Sequence, residues 1–202
     1  MANSDRPSGF TPVSYLNGAP WNGQARLYSI AASYGTALYI GDPVISSGTA
    51  DVNGVPGIAL AAATGGVRGV IVGLGKYEGL MANPSNLDLT YRPASDPAVW
   101  YAMVVDDPNV VFQVQEHENG TALAATEVGM NTISVLGAGN GYVSGWEIAS
   151  VTDATPAVTA TLQIKLLGLS RKPGNAFGAN AKWLVQFNVH ELSHGTGSLA
   201  IS

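Results

Sequence analysis

Apolar side chains in this chain recur at every second position, in short runs about ten residues apart, and no amphipathic pattern lasts long enough for a major helix. Along residues 183–190, Trp183, Val185, Phe187 and Val189 share one side, while Gln186, Asn188 and His190 share the other. That alternation predicts a half-buried strand. Residues 161–166 repeat it with Leu162, Ile164 and Leu166 inward, and residues 110–116 with Val110, Phe112 and Val114 inward. The run Val99-Trp100-Tyr101-Ala102-Met103-Val104-Val105 is apolar on both sides and predicts a central strand covered on both faces. Asp106-Asp107-Pro108-Asn109 lies between these last two runs. Pro108 presets a turn corner, and Asp107 and Asn109 can bond the local backbone, so 99–105 and 110–116 read as a β-hairpin. Shorter strands are expected near 25–30, 36–40, 43–46, 57–62, 67–73, 133–136 and 146–150, bounded by clusters such as Gly41-Asp42-Pro43 and Asn53-Gly54. Residues 121–127 can form one or two helical turns before Gly129. The expectation is an all-β fold: an antiparallel sandwich or barrel with at most one short helix.

Composition narrows the function classes. The 202 residues make one large domain or two small ones, and 46% hydrophobic content supplies a core. Charged residues are only 11%, against roughly 25% in ordinary soluble domains. Disorder would need the opposite balance. So sparsely charged a surface suits permanent cover by protein neighbours, with a glycine-rich, sparsely charged monomer as the plainer alternative. Nine basic and 14 acidic residues leave −5, with no electrostatic footprint for nucleic acid. No apolar run reaches the roughly 18 residues of a membrane span, and the polar start lacks a signal-peptide core. The absence of cysteine removes disulfides, thiol nucleophiles and thiolate zinc sites.

Residues 1–24 read as an extended N-terminal arm, and 25–202 as a single β-rich domain. Pro7, Pro12 and Pro20 with Gly9, Gly18 and Gly23 keep the arm irregular, yet it carries Phe10, Tyr15, Leu16 and Trp21. Aromatics on such a segment need something to pack against, either their own domain or a neighbouring subunit. These four are the candidate partner-binding residues.

Candidate chemistry is thin, and neither catalysis nor a cofactor is expected. His190-Glu191-Leu192-Ser193-His194 fits the His-Glu-x-x-His zinc signature, which requires a helix to bring both imidazoles together. Here it continues a strand, where residues four apart lie roughly 13 Å from each other. No His, Asp or Glu follows His194, and Ala200 stands where a third histidine ligand would be. A zinc hydrolase is therefore a remote alternative. Gly73-Leu74-Gly75-Lys76-Tyr77-Glu78-Gly79 reads as a tight turn, because its third glycine is misplaced for a dinucleotide loop. The pairs Asp106/Asp107 and Glu116/Glu118 read as solvated surface with turn duties. A second class of function is a carbohydrate- or host-surface-binding module using Trp100, Trp146 and Tyr142 as an aromatic platform, with core packing the expected role of Trp100.

Several blocks share a likeness. Residues 104–116, Val-Val-Asp-Asp-Pro-Asn-Val-Val-Phe-Gln-Val-Gln-Glu, are one. Others are residues 122–131, residues 180–190, Tyr15-Leu16-Asn17-Gly18-Ala19-Pro20-Trp21 and Ile40-Gly41-Asp42-Pro43-Val44. Together, taken in chain order, they resemble the capsid cement or head decoration proteins of tailed bacteriophages. The resemblance implies a β-rich virion protein, with a jelly-roll-like form among the options, that associates with itself as a homo-oligomer and binds the major capsid protein on the outer surface of the shell.

Overall fold

The computed structural model describes residues 3–76, 89–137 and 141–193. Among them the strands run, in chain order, β1 (Thr11–Tyr15), β2 (Arg26–Ile30), β3 (Leu38–Tyr39), β4 (Pro43–Ala50), β5 (Pro56–Leu60), β6 (Gly69–Lys76) and β7 (Tyr91–Arg92). They continue as β8 (Trp100–Val105), β9 (Val110–Gln115), β10 (Asn131–Thr132), β11 (Ser134–Leu136), β12 (Trp146–Ile148), β13 (Ile164–Leu169) and β14 (Lys182–Phe187). One 3-10 turn, Ala125–Glu127, is the helical content of the described residues. The protein is all-β.

Five strands close into a barrel in the order β2-β5-β4-β6-β8. All its neighbours are antiparallel except β2 and β5, which touch in parallel at Ser29 and Gly57. A five-stranded antiparallel sheet lies beside it in the order β1-β9-β14-β13-β10. Two short ribbons, β3–β7 and β11–β12, complete the framework. The barrel interior is filled by Tyr28, Ile30, Leu38, Val44, Ile58, Ile71, Leu74, Trp100, Ala102 and Val104. A second apolar cluster joins sheet to barrel: Phe112, Val114, Ile164, Leu166, Trp183, Val185 and Phe187 pack with Ala61, Val67, Val70 and Val105. β8 thus serves both cores, as its two apolar faces predict.

The predicted hairpin does not form. Its turn does: Asn109 N–H donates to Asp107 Oδ1 at 2.8 Å, and Val110 N–H to the Asp107 carbonyl at 3.2 Å. Yet β8 pairs with β2 and β6, whereas β9 pairs with β1 and β14. The connection crosses from barrel to sheet. The Asp106 carboxylate accepts from the Tyr28 hydroxyl at 2.6 Å and from Arg26 at 3.3 Å, which fastens the end of β8 to the barrel. Turn chemistry is local, but the choice of strand partner is not.

Two further readings change. Residues 110–115 alternate in sequence but are buried throughout, because the outward Gln113 and Gln115 are covered. Gln113 accepts from Ser170 Oγ at 3.1 Å, and Gln115 Nε2 donates to Asp5 at 2.8 Å and Glu147 at 3.0 Å. Gly73 to Lys76 belong to β6 rather than to a tight turn, and Gly73 sits where the β6–β8 register shifts. Residues 77–79 of that reading lie outside the described residues. In 161–166 the strand begins only at Ile164, since Gln163 turns inward to donate to the carbonyls of Ala62 (3.0 Å) and Gly65 (3.2 Å).

The N-terminal segment is extended in backbone, and β1 forms one edge of the sheet on β9. The chain then reverses at Gly18 (φ 86°). Tyr15 N–H donates to Ala19 and Trp21 N–H to Val13, at 2.8 and 3.2 Å, so residues 19–21 shield the free edge of β1. Upstream, Gly9 (φ 66°) and Gly41 (φ 96°) approach so closely that a Cβ on Gly9 would stand 2.3 Å from the Gly41 carbonyl oxygen. Only glycine fits there.

Candidate interaction surfaces

The four arm residues divide by depth. Phe10 is 1% exposed and meets Phe112 edge-on at 6.4 Å and Phe187 at 5.0 Å between ring centres. It anchors its own domain and presents no surface. Tyr15 and Trp21 are half-buried against the sheet–barrel core. The Tyr15 hydroxyl donates to Asn22 Oδ1 at 2.9 Å, and the Trp21 indole N–H to the Gln24 carbonyl at 3.3 Å. Leu16 is 48% exposed at the tip of the reversal. Beside it opens a cleft of about 610 Å³ lined by Tyr15, Gln24, Arg26, Asp107, Pro108 and Leu192.

A second concavity of about 540 Å³ lies at the other end of β2 and β8, lined by Ile30, Ala31, Val52, Gly57, Val99 and Tyr101. Val52, at the tip between β4 and β5, is fully exposed. Asp51 shapes that tip by accepting from Asn53 N–H at 2.9 Å, Val55 N–H at 2.8 Å and the Tyr101 hydroxyl at 2.5 Å. The Tyr101 hydrogen bond, with the backbone donors, holds the Asp51 carboxyl below the usual range. Arg26 borders the first cleft and Ile30 the second, so the length of β2, roughly 13 Å, separates them.

A third surface escaped the sequence reading. The outer side of β13 and β14 forms an open cleft of about 730 Å³, with Val128, Leu167, Leu169 and Leu184 as apolar lining and Arg171 and Lys172 among its borders. The signal was present in the sequence: residues 154–190 contain Lys165, Arg171, Lys172 and Lys182 but no Asp or Glu.

The other candidates resolve into structural parts. Trp100 and Trp146 are 1% and 3% exposed, so they cannot form a sugar platform with Tyr142, which is 65% exposed. Tyr142 instead stands edge-on to Tyr91 at 5.8 Å, and Tyr91 stacks on Tyr39 at 5.6 Å. His190 lies beyond β14, bridged in parallel to Val67, and is buried. Burial pushes its imidazole down to about 4, and its Nδ1 accepts from Leu192 N–H at 3.1 Å. The Glu191 carboxylate accepts from Ser46 N–H at 3.1 Å and pairs with Arg68 at 3.6 Å, so it ties the chain's last described turn to the barrel. His194 lies outside the described residues. Among those described, no group of three or more His, Cys, Asp or Glu is arranged to hold a metal ion.

The acidic pairs also part company. Asp107 and Glu118 are exposed, but Asp106 and Glu116 are buried. Glu116 accepts from Leu123 N–H at 2.5 Å and from the Trp183 indole at 3.0 Å. Burial pushes its carboxyl up to about 7 against those two donors. The solvated reading fails for both buried carboxyls because distant segments cover them.

No protein-family model matches the chain, and no curated protein or solved structure matches it.

Proposed function

We propose that this chain is a structural protein of a bacteriophage virion. It binds the outer face of the assembled capsid through the major capsid protein and holds capsomers together across their seams. The observation that carries this reading is the pair of concavities at opposite ends of β2 and β8, one lined mainly by apolar side chains and the other by polar and charged ones, in a sparsely charged β body. A protein that bridges a seam needs two contact surfaces on a stiff spacer. A closed barrel fused to a sheet through a shared core is such a spacer. The resemblance of the sequence blocks to those of cement proteins supports the same reading.

The thermodynamics are those of linkage. A protein that binds the assembled lattice but not free capsomers makes disassembly forfeit its contacts, which stabilises the shell by mass action. Such contacts rely on shape and apolar area more than on charge, and the exposed Leu16 and Val52 are suited to them. The test is retention on purified capsids. Leu16→Asp and Val52→Asp should each weaken co-sedimentation, and the double variant should abolish it. Retention of the double variant at the wild-type level would remove this reading.

A further inference from the structure

The charge of this protein is strongly segregated. Residues 154–190 hold four of the nine cations and no carboxylate, so with an overall −5 the rest of the chain balances at −9. The segment is the β13–β14 hairpin with its flanks. Arg171 and Lys172 stand at its loop, exposed to solvent. Among the described residues neither they nor Lys182 form a salt bridge. The loop is well held. Pro173 and Gly174 (φ 82°) form the corners of a turn closed by Asn175 N–H on the Lys172 carbonyl at 3.1 Å. The Asn175 side chain donates to the carbonyls of Ser170 (2.7 Å) and Lys182 (2.8 Å) and accepts from Lys182 N–H (2.8 Å).

A carboxylate network lies beside this hairpin on the same face. Gln115 Nε2 donates to Asp5 at 2.8 Å and to Glu147 at 3.0 Å, and lies 3.2 Å from Asn180 Oδ1. Asn180 in turn donates to Glu118 at 2.8 Å. Asp153, on the His117 ring at 2.9 Å, extends the acidic side, and the exposed Arg6 flanks it. Lys182 pairs directly opposite Gln115, and residues opposite each other in an antiparallel pair share a face. Their neighbours Trp183 and Val114 point into the core, so Lys182 and Gln115 point outward. One outer face therefore carries a cationic half and an anionic half, meeting at the β9–β14 seam, with Leu184 and Leu167 lining the cleft on the cationic side.

We propose that this face binds a second copy of itself. A two-fold axis across the seam lays the Arg171–Lys172 turn of each copy on the Asp5–Glu118 network of the other. The contact is self-complementary in charge, as an isologous interface requires: residue i meets j, and j meets i. The apolar cleft lining adds buried area to either side of the axis, and the charges give the contact its register. The opposite ends of β2 stay free, so on the capsid reading a dimer would present four concavities to the shell. That use rests on the proposed function, but the association itself does not.

Sedimentation equilibrium tests it without capsids. The wild-type protein should dimerise at about 50 mM salt and dissociate about tenfold more readily at about 500 mM. The double variant Arg171→Glu/Lys172→Glu and the double variant Asp5→Lys/Glu118→Lys should each be monomeric, because like charges then face each other at both contacts. Mixed in equal amounts, they should form a heterodimer, since both contacts are restored. Circular dichroism of each variant alone confirms that the β fold is kept. A wild-type monomer at low salt would overturn the proposal, as would a dimer indifferent to both salt and charge reversal. A dimer of the expected behaviour that fails to bind capsids removes only the capsid reading. A permanent monomer that binds them removes only this one.

Discussion

The barrel and the sheet solve the same problem in different ways. The barrel leaves no free strand edge, and its core is largely apolar, with the Tyr28 hydroxyl bonded to Asp106 at 2.6 Å and the buried Ser29 to the Val55 carbonyl at 3.0 Å. The sheet has two edges and must cover each: residues 19–21 fold back on β1, and Asn131 of β10 bridges to Ala157. Its cover brings polar groups inside, among them Gln113, Gln115, Glu116, Gln163 and Asn188. Closure needs no extra material, whereas an open sheet must recruit distant segments, and those segments carry the polar network and the charge. On the proposed reading the barrel supplies stiffness and the Val52 contact, whereas the sheet carries the polar groups on which specificity can be built.

The comparison breaks most readily at the shared core. Trp183 is fully buried, and Trp183→Ala should cost about 3–5 kcal/mol in urea unfolding. Because sheet and barrel share one apolar cluster, the loss should shift a single transition; two separate transitions would show that the halves are independent. Next in size is the pH dependence of the sheet. Glu116 rises from 4.5 unfolded to about 7 folded, so the folded state holds its proton more tightly. Its contribution is full below about pH 4.5 and is lost as pH rises through about 7, by about 3 kcal/mol at most. Glu116→Gln should therefore flatten the fall in stability between pH 5 and pH 8. An unchanged slope would remove Glu116 as its source. His190 acts in the opposite direction, with stability present above pH 6.5 and lost as pH falls through about 4.

A smaller effect sharpens the junction between the halves. Gly41→Ala places a Cβ 2.4 Å from the Ser8 carbonyl oxygen at positive φ, and should destabilise by about 1–3 kcal/mol. A neutral result would mean that residues 8–10 can move away from the barrel. The smallest effects belong to the surface. Leu16→Asp and Val52→Asp should change stability by no more than about 0.5 kcal/mol, which separates lost capsid retention from lost folding.

Much of the fold was legible in the sequence wherever it rests on neighbours along the chain. The alternation at 183–187, the doubly apolar run at 99–105, the Asp107 turn and the short strands near 25–30 and 43–46 all reappear as β14, β8, the 106–109 turn, β2 and β4. Of the candidate surface, Leu16 was named together with the other arm residues, and the acid-free run from 154 to 190 was there to be found by mapping acids against bases. Phe10 was not separable from Leu16, because its depth depends on Phe112 and Phe187, a hundred or more residues away.

Local pattern therefore determined strand character, turn sites, scarcity of helix and scarcity of charge, since each follows from side-chain periodicity and backbone preference within a few residues. The tertiary structure alone decided which strands pair, which carboxylates are buried, and that the cationic hairpin shares a face with the carboxylates of residues 5 and 118. Those outcomes depend on which distant segments come to cover one another, and the free energy of burial is not written in any single stretch of chain.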